Sequence, residues 1–173
     1  MNTLLIYTNN NELKLQYIDA IEKHNKQSKG ESEGECECEC ECESEEYNSG
    51  FDLFVPHKIT SQEDEIELGF EIVGAMFDPD NKPMPYDLRP RSSLVKYKVI
   101  MSNSSGVIDN GYRGNLKTYL TNTWRLKINI DKYSRLVQIC NPDLRFFKVK
   151  LVERLEDLGI TKRGSGGFGS TGK

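Results

Sequence analysis

Histidine is scarce in this chain. Its 173 residues contain two, His24 and His57. They are far apart and read as isolated surface residues, so no Ser-His-Asp or Cys-His nucleophile set can be assembled. No apolar run approaches the length needed to span a bilayer. No charged-then-apolar leader opens the chain, so a soluble protein of a reducing compartment is expected, cytoplasm and nucleus not being separable. The five cysteines are an odd number. Four of them, Cys36, Cys38, Cys40 and Cys42, alternate with glutamate, which is not a disulfide framework. No metal-ligand motif is visible elsewhere.

The net charge of −4 is local in origin. Nine glutamates and no Lys or Arg lie between Glu31 and Glu46, and without them 18 acids face 23 bases. The body is therefore mildly basic, as suits a small polyanionic ligand. The excess is too small and too scattered for a nucleic-acid face. Cys-x-Cys spacing occurs in metal-thiolate proteins. The plainer reading is a dipeptide repeat tolerated in a loop.

Along the chain, Thr3 to Thr8 reads as a strand. From Asn11, apolar residues recur at Leu13, Tyr17 and Ile21, the spacing of one helical face, which predicts a short helix to about His24. Residues 25–48 are polar and then repetitive, and read as a disordered insertion. From residue 49 to 162 the texture is all-β. Strands are predicted at Phe51–Val55, Glu67–Met76, Val95–Met101, Leu116–Leu120, Leu126–Ile130, Leu136–Cys140 and Phe146–Val152. Glu153 to Leu158 is expected to form one short turn. Many short strands with regular turn signals argue for a sandwich or barrel.

Two segments carry chemistry. Gly106-Val107-Ile108-Asp109-Asn110-Gly111-Tyr112-Arg113-Gly114 places an Asn-Gly pair after two β-formers, the signature of a type I′ hairpin. It sets a carboxylate and an aromatic ring beside accessible backbone, where a flat ligand could lie. An ordinary surface hairpin would also fit these residues. The C-terminal residues 163–173 are too glycine-rich for a helix or strand. As a flexible arm, Phe168 would stack on a base, Arg163 would take phosphate oxygens, and Ser170 and Thr171 would donate hydrogen bonds. A disordered tail is the plain alternative. Gly167 to Lys173 mimics a phosphate-binding P-loop, but the Ser/Thr after the lysine is missing.

Taken together, these segments resemble the trimeric dUTP nucleotidohydrolases (dUTPases). Five family motifs run in order: Ser49-Gly50-Phe51-Asp52-Leu53, Pro90-Arg91-Ser92-Ser93-Leu94, the Asp109 segment, Arg135-Leu136-Val137-Gln138-Ile139, and the tail. The resemblance covers roughly Phe51 to Gly172. It departs at Ser49, where alanine is usual, and at Tyr133, where glycine is typical; a lost positive φ there would require the turn to be rebuilt.

The resemblance implies a distorted jelly roll (β-clip), with a short N-terminal helix and a Gly-rich arm that closes the site. It implies hydrolysis of dUTP to dUMP and pyrophosphate, which limits uracil in DNA. Asp109 would be the general base, or else a cap of its own turn. Tyr112 would lie under the deoxyribose and refuse a 2′-hydroxyl, or else be a buried strand tyrosine. Uracil would pair with the backbone of Gly106, Val107 and Ile108, assisted by Asn103. Arg91, Ser92, Ser93 and Gln138 resemble phosphate contacts, although Arg91 could be an inter-subunit ion pair and Gln138 an ordinary strand amide. Asp52 would hold the hydration shell of a Mg²⁺ on the triphosphate. Gly50 would have a purely conformational role. Arg163, Phe168, Gly169, Ser170 and Thr171 would close over the nucleotide. The site would be shared by three subunits of a homotrimer, with no nucleic-acid or membrane partner. Two alternatives remain: a non-catalytic nucleotide-binding protein on the same scaffold, and a dCTP deaminase. The latter would carry a glutamate in the stretch that reads Gly114-Asn115-Leu116-Lys117-Thr118-Tyr119.

Overall fold

A computed structural model describes residues 1–27 and 47–167. The Glu/Cys repeat and the tail residues Phe168, Gly169, Ser170 and Thr171 lie outside the described residues. Thirteen strands and one α-helix are formed among the described residues. β1 (Thr3–Tyr7) pairs in parallel with β13 (Lys148–Leu151) and antiparallel with β5 (Val73–Phe77). β6 (Pro83–Met84) completes that sheet beside β5. β10 (Lys117–Asn122) sits between β4 (Glu65–Gly69) and β8 (Val99–Met101), and β3 (Ile59–Ser61) pairs with β11 (Ile128–Ile130). The fourth sheet has the order β2 (Gly50–Phe54), β12 (Arg135–Cys140), β7 (Tyr86–Pro90), β9 (Gly106–Ile108). The class is all-β with one helix, as the strand texture predicts.

The alternating burial of β2, β10 and the neighbouring strands points one face of each sheet into a common core. Leu53, Leu88, Leu120, Val137, Ile139 and Phe147 are fully buried there. This period-two pattern makes the strands legible in sequence.

The helix α1 runs Asn11–Lys26, slightly beyond His24 and into the stretch read as insertion. Asn10 caps it, its side-chain oxygen accepting from Glu12 N and Leu13 N at 3.0 and 3.2 Å. Leu13 and Tyr17 are buried, as their spacing predicts, and the Tyr17 hydroxyl accepts from Phe54 N at 3.1 Å. The helix also covers the outer edge of β13. The Asn25 side chain exchanges two hydrogen bonds with the Val149 backbone, which satisfies an edge that would otherwise invite another strand.

His24 corrects the sequence expectation. It is 5 % exposed, stacks on Phe146, and donates from Nε2 to the Phe147 carbonyl at 2.9 Å. Sequence reading missed this because its partners lie more than a hundred residues away. His57 is exposed as expected, paired with Glu71.

Two predicted strands are divided. Glu67–Met76 breaks into β4 and β5, with Glu71 at φ 53° between them. Val95–Met101 begins as a 3-10 helix, Ser92–Tyr97, which ends at Lys98 with φ 55° before β8 starts. A left-handed residue cannot continue a strand, and neither position holds the glycine or asparagine that would signal it. β7 has no predicted counterpart, since Tyr-Asp-Leu-Arg-Pro mixes charge with a terminal proline. It occupies a central place in its sheet. The short turn expected after β13 is the 3-10 helix Leu155–Leu158.

Candidate active site

Most of the residues singled out in sequence, among those described, collect around two cavities. The larger, about 850 Å³, is lined by Ser49, Gly50, Asp52, Arg89, Arg91, Arg135 and Gln138, among others. The smaller, about 210 Å³, is lined by Asn103, Gly106, Val107, Ile108, Asp109, Tyr112, Lys117, Arg163 and Gly167, together with Leu88. β7 separates them: Leu88 faces the smaller cavity, while Arg89, Pro90 and Arg91 line the larger. The turn between β8 and β9 divides in the same way, Asn103 to one side, Ser104 and Ser105 to the other.

Sheet register builds the larger cavity. Gln138 on β12 stands opposite Asp52 on β2 and Arg89 on β7. Asp52 receives Arg91 Nε at 2.6 Å and Arg135 Nη1 at 3.2 Å on its two oxygens. Burial holds the Asp52 carboxyl above its ordinary value, and the two guanidinium groups offset this only in part. Arg91 is thus paired within its own chain. Arg91 Nη1 and the Ser93 hydroxyl both donate to the Arg135 carbonyl, at 3.0 and 2.7 Å. Ser92 and Ser93 open the 3-10 helix; Ser92 is exposed, and neither serine lines the cavity. Arg89 is paired with Asp87 at 2.8 Å, and Arg91 and Arg135 together face the single Asp52 carboxylate, which leaves this groove with a positive excess suited to an anion with several oxygens.

Gly50 has a different role from the conformational one expected. Its φ is not positive; a Cβ there would run into the Gln138 side-chain amide, 2.6 Å from Cδ. Glycine leaves the room in which Gln138 lies.

The turn before Arg135 is not rebuilt. Tyr133 adopts φ 65°, a conformation costing a non-glycine residue roughly 1–2 kcal/mol. Its N–H donates to the Val55 carbonyl at 2.7 Å, and Val55 N donates to Ser134 O at 3.0 Å.

The smaller cavity is built on β9. Among the described residues this strand ends its sheet, with β7 on one side and no strand on the other. Its outer backbone edge can therefore serve a flat ligand. The Asn110-Gly111 turn differs from the prediction. Tyr112 N donates to Asp109 O at 3.0 Å, but neither Asn110 nor Gly111 has positive φ, so the turn is not type I′. It is no hairpin either: β9 pairs with β7, and the next strand, β10, pairs with β4 and β8. Tertiary pairing has overridden the local signal.

Asp109 projects from this turn, about half exposed, and is ion-paired with Arg163. The start of the arm lies against its own chain here. Arg113 N donates to Gly164 O at 2.7 Å, and the Thr161 hydroxyl to Gly111 O at 2.5 Å. The Tyr112 hydroxyl donates to Asn115 O at 2.9 Å. Cβ atoms on Gly114 or Gly167 would press on the Tyr112 ring, so both glycines permit close approach to it.

Two residues escape the sequence reading. Arg113 donates to the carbonyls of Asn110, Tyr112, Leu158 and Gly159, tying the Asp109 turn to the segment that leads into the arm. Burial lowers its pKa. Its place directly after Tyr112 is the available signal. Lys117 lines the cavity while paired with Glu67 at 3.0 Å.

Among the described residues no cluster of three His, Cys, Asp or Glu could cage a metal ion. Among the described residues Asp52 is the sole carboxylate lining the larger cavity. That donor set fits an ion carried on a ligand's phosphates, held through water by one carboxylate. No helix among the described residues is long and apolar enough to cross a membrane.

Comparison with known proteins identifies the family of the chain. A family model described as dUTPase matches residues 37–172. A deoxyuridine 5′-triphosphate nucleotidohydrolase of Rickettsia felis is 37% identical over 130 residues, covering 73% of this chain and 84% of the relative. One from Clostridium acetobutylicum is 42% identical over 87 residues, covering 49% of this chain and 57% of the relative. One from Fowlpox virus is 40% identical over 85 residues, covering 49% and 58%. The chain thus spans a little over half the length of the last two relatives. A solved dUTPase from Streptococcus mutans is similar with a TM-score of 0.45 at 19% identity, covering 68% of this chain and 88% of that one. The family match takes in both cavities and the arm, and the chain belongs to the dUTPase family.

Proposed function

We propose that this protein hydrolyses dUTP to dUMP and pyrophosphate. The observation that carries this reading is the placement of the Asp109 carboxylate at a cavity edged by the open side of β9 and by the Tyr112 ring. Uracil lies against the backbone of Gly106, Val107 and Ile108, with Asn103 at its edge. Fixed backbone donors and acceptors leave cytosine mismatched, and each buried group left without a partner costs ~1–3 kcal/mol. Tyr112 packs against the deoxyribose and leaves no room for a 2′-hydroxyl. Thymine's methyl meets rigid backbone.

Asp109 accepts a hydrogen bond from water and orients it at the α-phosphorus. The new bond forms from water oxygen to phosphorus. The bond to the bridging oxygen breaks, and pyrophosphate departs with that electron pair. The water's proton passes to Asp109. For this, Arg163 must exchange its bond with Asp109 for one with phosphate. Arg91 and Gln138 hold phosphate oxygens in the cationic groove, with Ser92 and Ser93 flanking it at the start of the 3-10 helix and Ser93 fixing the Arg135 backbone. Mg²⁺ would neutralise triphosphate charge, with Asp52 accepting from its bound waters.

The two cavities lie on opposite sides of β7, which supports a site assembled from neighbouring copies. In this reading three chains form a homotrimer. One supplies the groove of Asp52, Arg91 and Gln138, another the Asp109 segment, and a third the arm with Phe168, Gly169, Ser170 and Thr171.

Pyrophosphate release from dUTP with Mg²⁺, beside dTTP, dCTP, UTP and an Asp109→Asn variant, tests the reading. Turnover of dUTP alone, lost in the variant, is the expected result. Ammonia from dCTP would point to deamination. Nucleotide binding without turnover by the folded protein would point to a regulatory scaffold.

A further inference from the structure

The turn Asp131–Ser134 is braced from an unexpected direction. Tyr133 holds φ 65°, and its hydroxyl donates to Glu12 Oε2 at 3.2 Å. Lys132 bonds the same carboxylate oxygen and lies 4.8 Å over the Tyr133 ring. Glu12 belongs to the first turn of α1, in the part of the chain that the family motifs do not reach. That end of the helix is itself moored: Asn10 caps it and donates to Glu71 Oε2 at 2.8 Å, while His57 holds the other Glu71 oxygen at 2.6 Å.

What the turn controls is the cationic groove. Two residues beyond Tyr133, the Arg135 carbonyl receives both Arg91 and Ser93, and its guanidinium pairs with Asp52. A shift of this backbone moves three groove residues together. Glycine would hold the positive φ unaided. Tyrosine does not, and it brings a hydroxyl and a ring that α1 and Lys132 grip.

We propose that Glu12 is a positioning residue for the phosphate groove, acting through Tyr133 in place of the glycine typical at this turn. Exposed ion pairs add little stability one by one. The role of this contact is to hold a left-handed tyrosine, and with it the Arg135 backbone, in one geometry. The inference rests on the groove being the phosphate site of the proposed reaction.

The test is a double-mutant cycle on the full chain, using Glu12→Ala in the native and Tyr133→Gly backgrounds. Tyr133→Asn, which also tolerates positive φ, is a second background should the glycine variant fold poorly. Inorganic pyrophosphate with Mg²⁺ is titrated by calorimetry, and dUTP hydrolysis is measured in parallel. In the native background, Glu12→Ala is expected to weaken pyrophosphate affinity about five-fold, raising KM for dUTP in step while kcat changes less than about two-fold. In the Gly or Asn background the same substitution should change neither appreciably. Equal effects in both backgrounds, or no effect in the native one, would overturn the proposal. Pyrophosphate binding that depends on Glu12 only when Tyr133 is present, in a protein that does not turn over dUTP, would sustain the brace and remove the proposed activity. Absence of pyrophosphate binding would overturn the brace as a groove-positioning device.

Discussion

The Asp109 carboxylate, at the turn after β9, is ion-paired with the Arg163 guanidinium at the start of the arm in the same chain. The proposed base and the proposed phosphate ligand thus neutralise one another until a substrate separates them. Arg163→Ala should leave Asp109 free of this partner yet weaken dUTP binding. KM is expected to rise roughly tenfold, as for the loss of one charge-assisted contact. Steady-state kinetics read this directly, and an unchanged KM would remove Arg163 from the phosphate site.

Asp109→Asn keeps the shape of the turn and removes the base. Turnover of dUTP should fall by about 10²–10⁴-fold, the usual worth of a positioned general base. Nucleotide affinity, measured by calorimetry, should change little by comparison. Turnover near the native rate would mean that another group orients the water.

Gly50→Ala tests the space in which Gln138 lies. The added methyl meets the amide group of that side chain, so Gln138 must turn away. Misplacing a phosphate contact by about 1 Å should lower kcat/KM for dUTP roughly 10- to 100-fold. The melting temperature need not change in step, since Gly50 is at the cavity rim. Native kcat/KM in this variant would show that Gln138 does not touch substrate.

Tyr17→Phe removes the acceptor for Phe54 N and leaves that donor without its partner. A loss of about 1–3 kcal/mol is expected, or a fall of roughly 2–12 °C in Tm for a chain of this length. Because Phe54 ends β2, the strand that carries Asp52, calorimetry on this variant measures how firmly α1 is fastened to the groove.

His24 should make stability depend on pH. Burial lowers its pKa below the ordinary histidine value, so the folded protein binds a proton there less readily than the unfolded chain. The stabilisation is complete above the unfolded pKa of about 6.5 and is lost as pH falls through the lowered folded value. Thermal melts between neutral and mildly acidic pH should show Tm declining, and His24→Gln, which keeps a donor for the Phe147 carbonyl, should flatten the decline. Parallel profiles for both proteins would place the acid sensitivity elsewhere.

Much of this molecule is determined by the order of its residues alone. Alternating burial in β2, β4 and β10 is written as alternating side chains, and the face of α1 as Leu13 and Tyr17. The Asp109 segment and the basic body are equally legible, since local pattern and composition carry them. Four features were decided by tertiary structure. The Asn110-Gly111 turn lost its type I′ form because β9 pairs with β7 and not with β10. His24 became buried because β13 comes to lie under α1. Gly50 is glycine for the sake of Gln138, and Tyr133 bends left-handed while gripped by Glu12. Each depends on a partner brought close only by folding, at sequence separations from 88 to 123 in three of the four cases. Local propensities are worth a fraction of a kcal/mol per residue, and the packing and pairing of distant segments outweigh them.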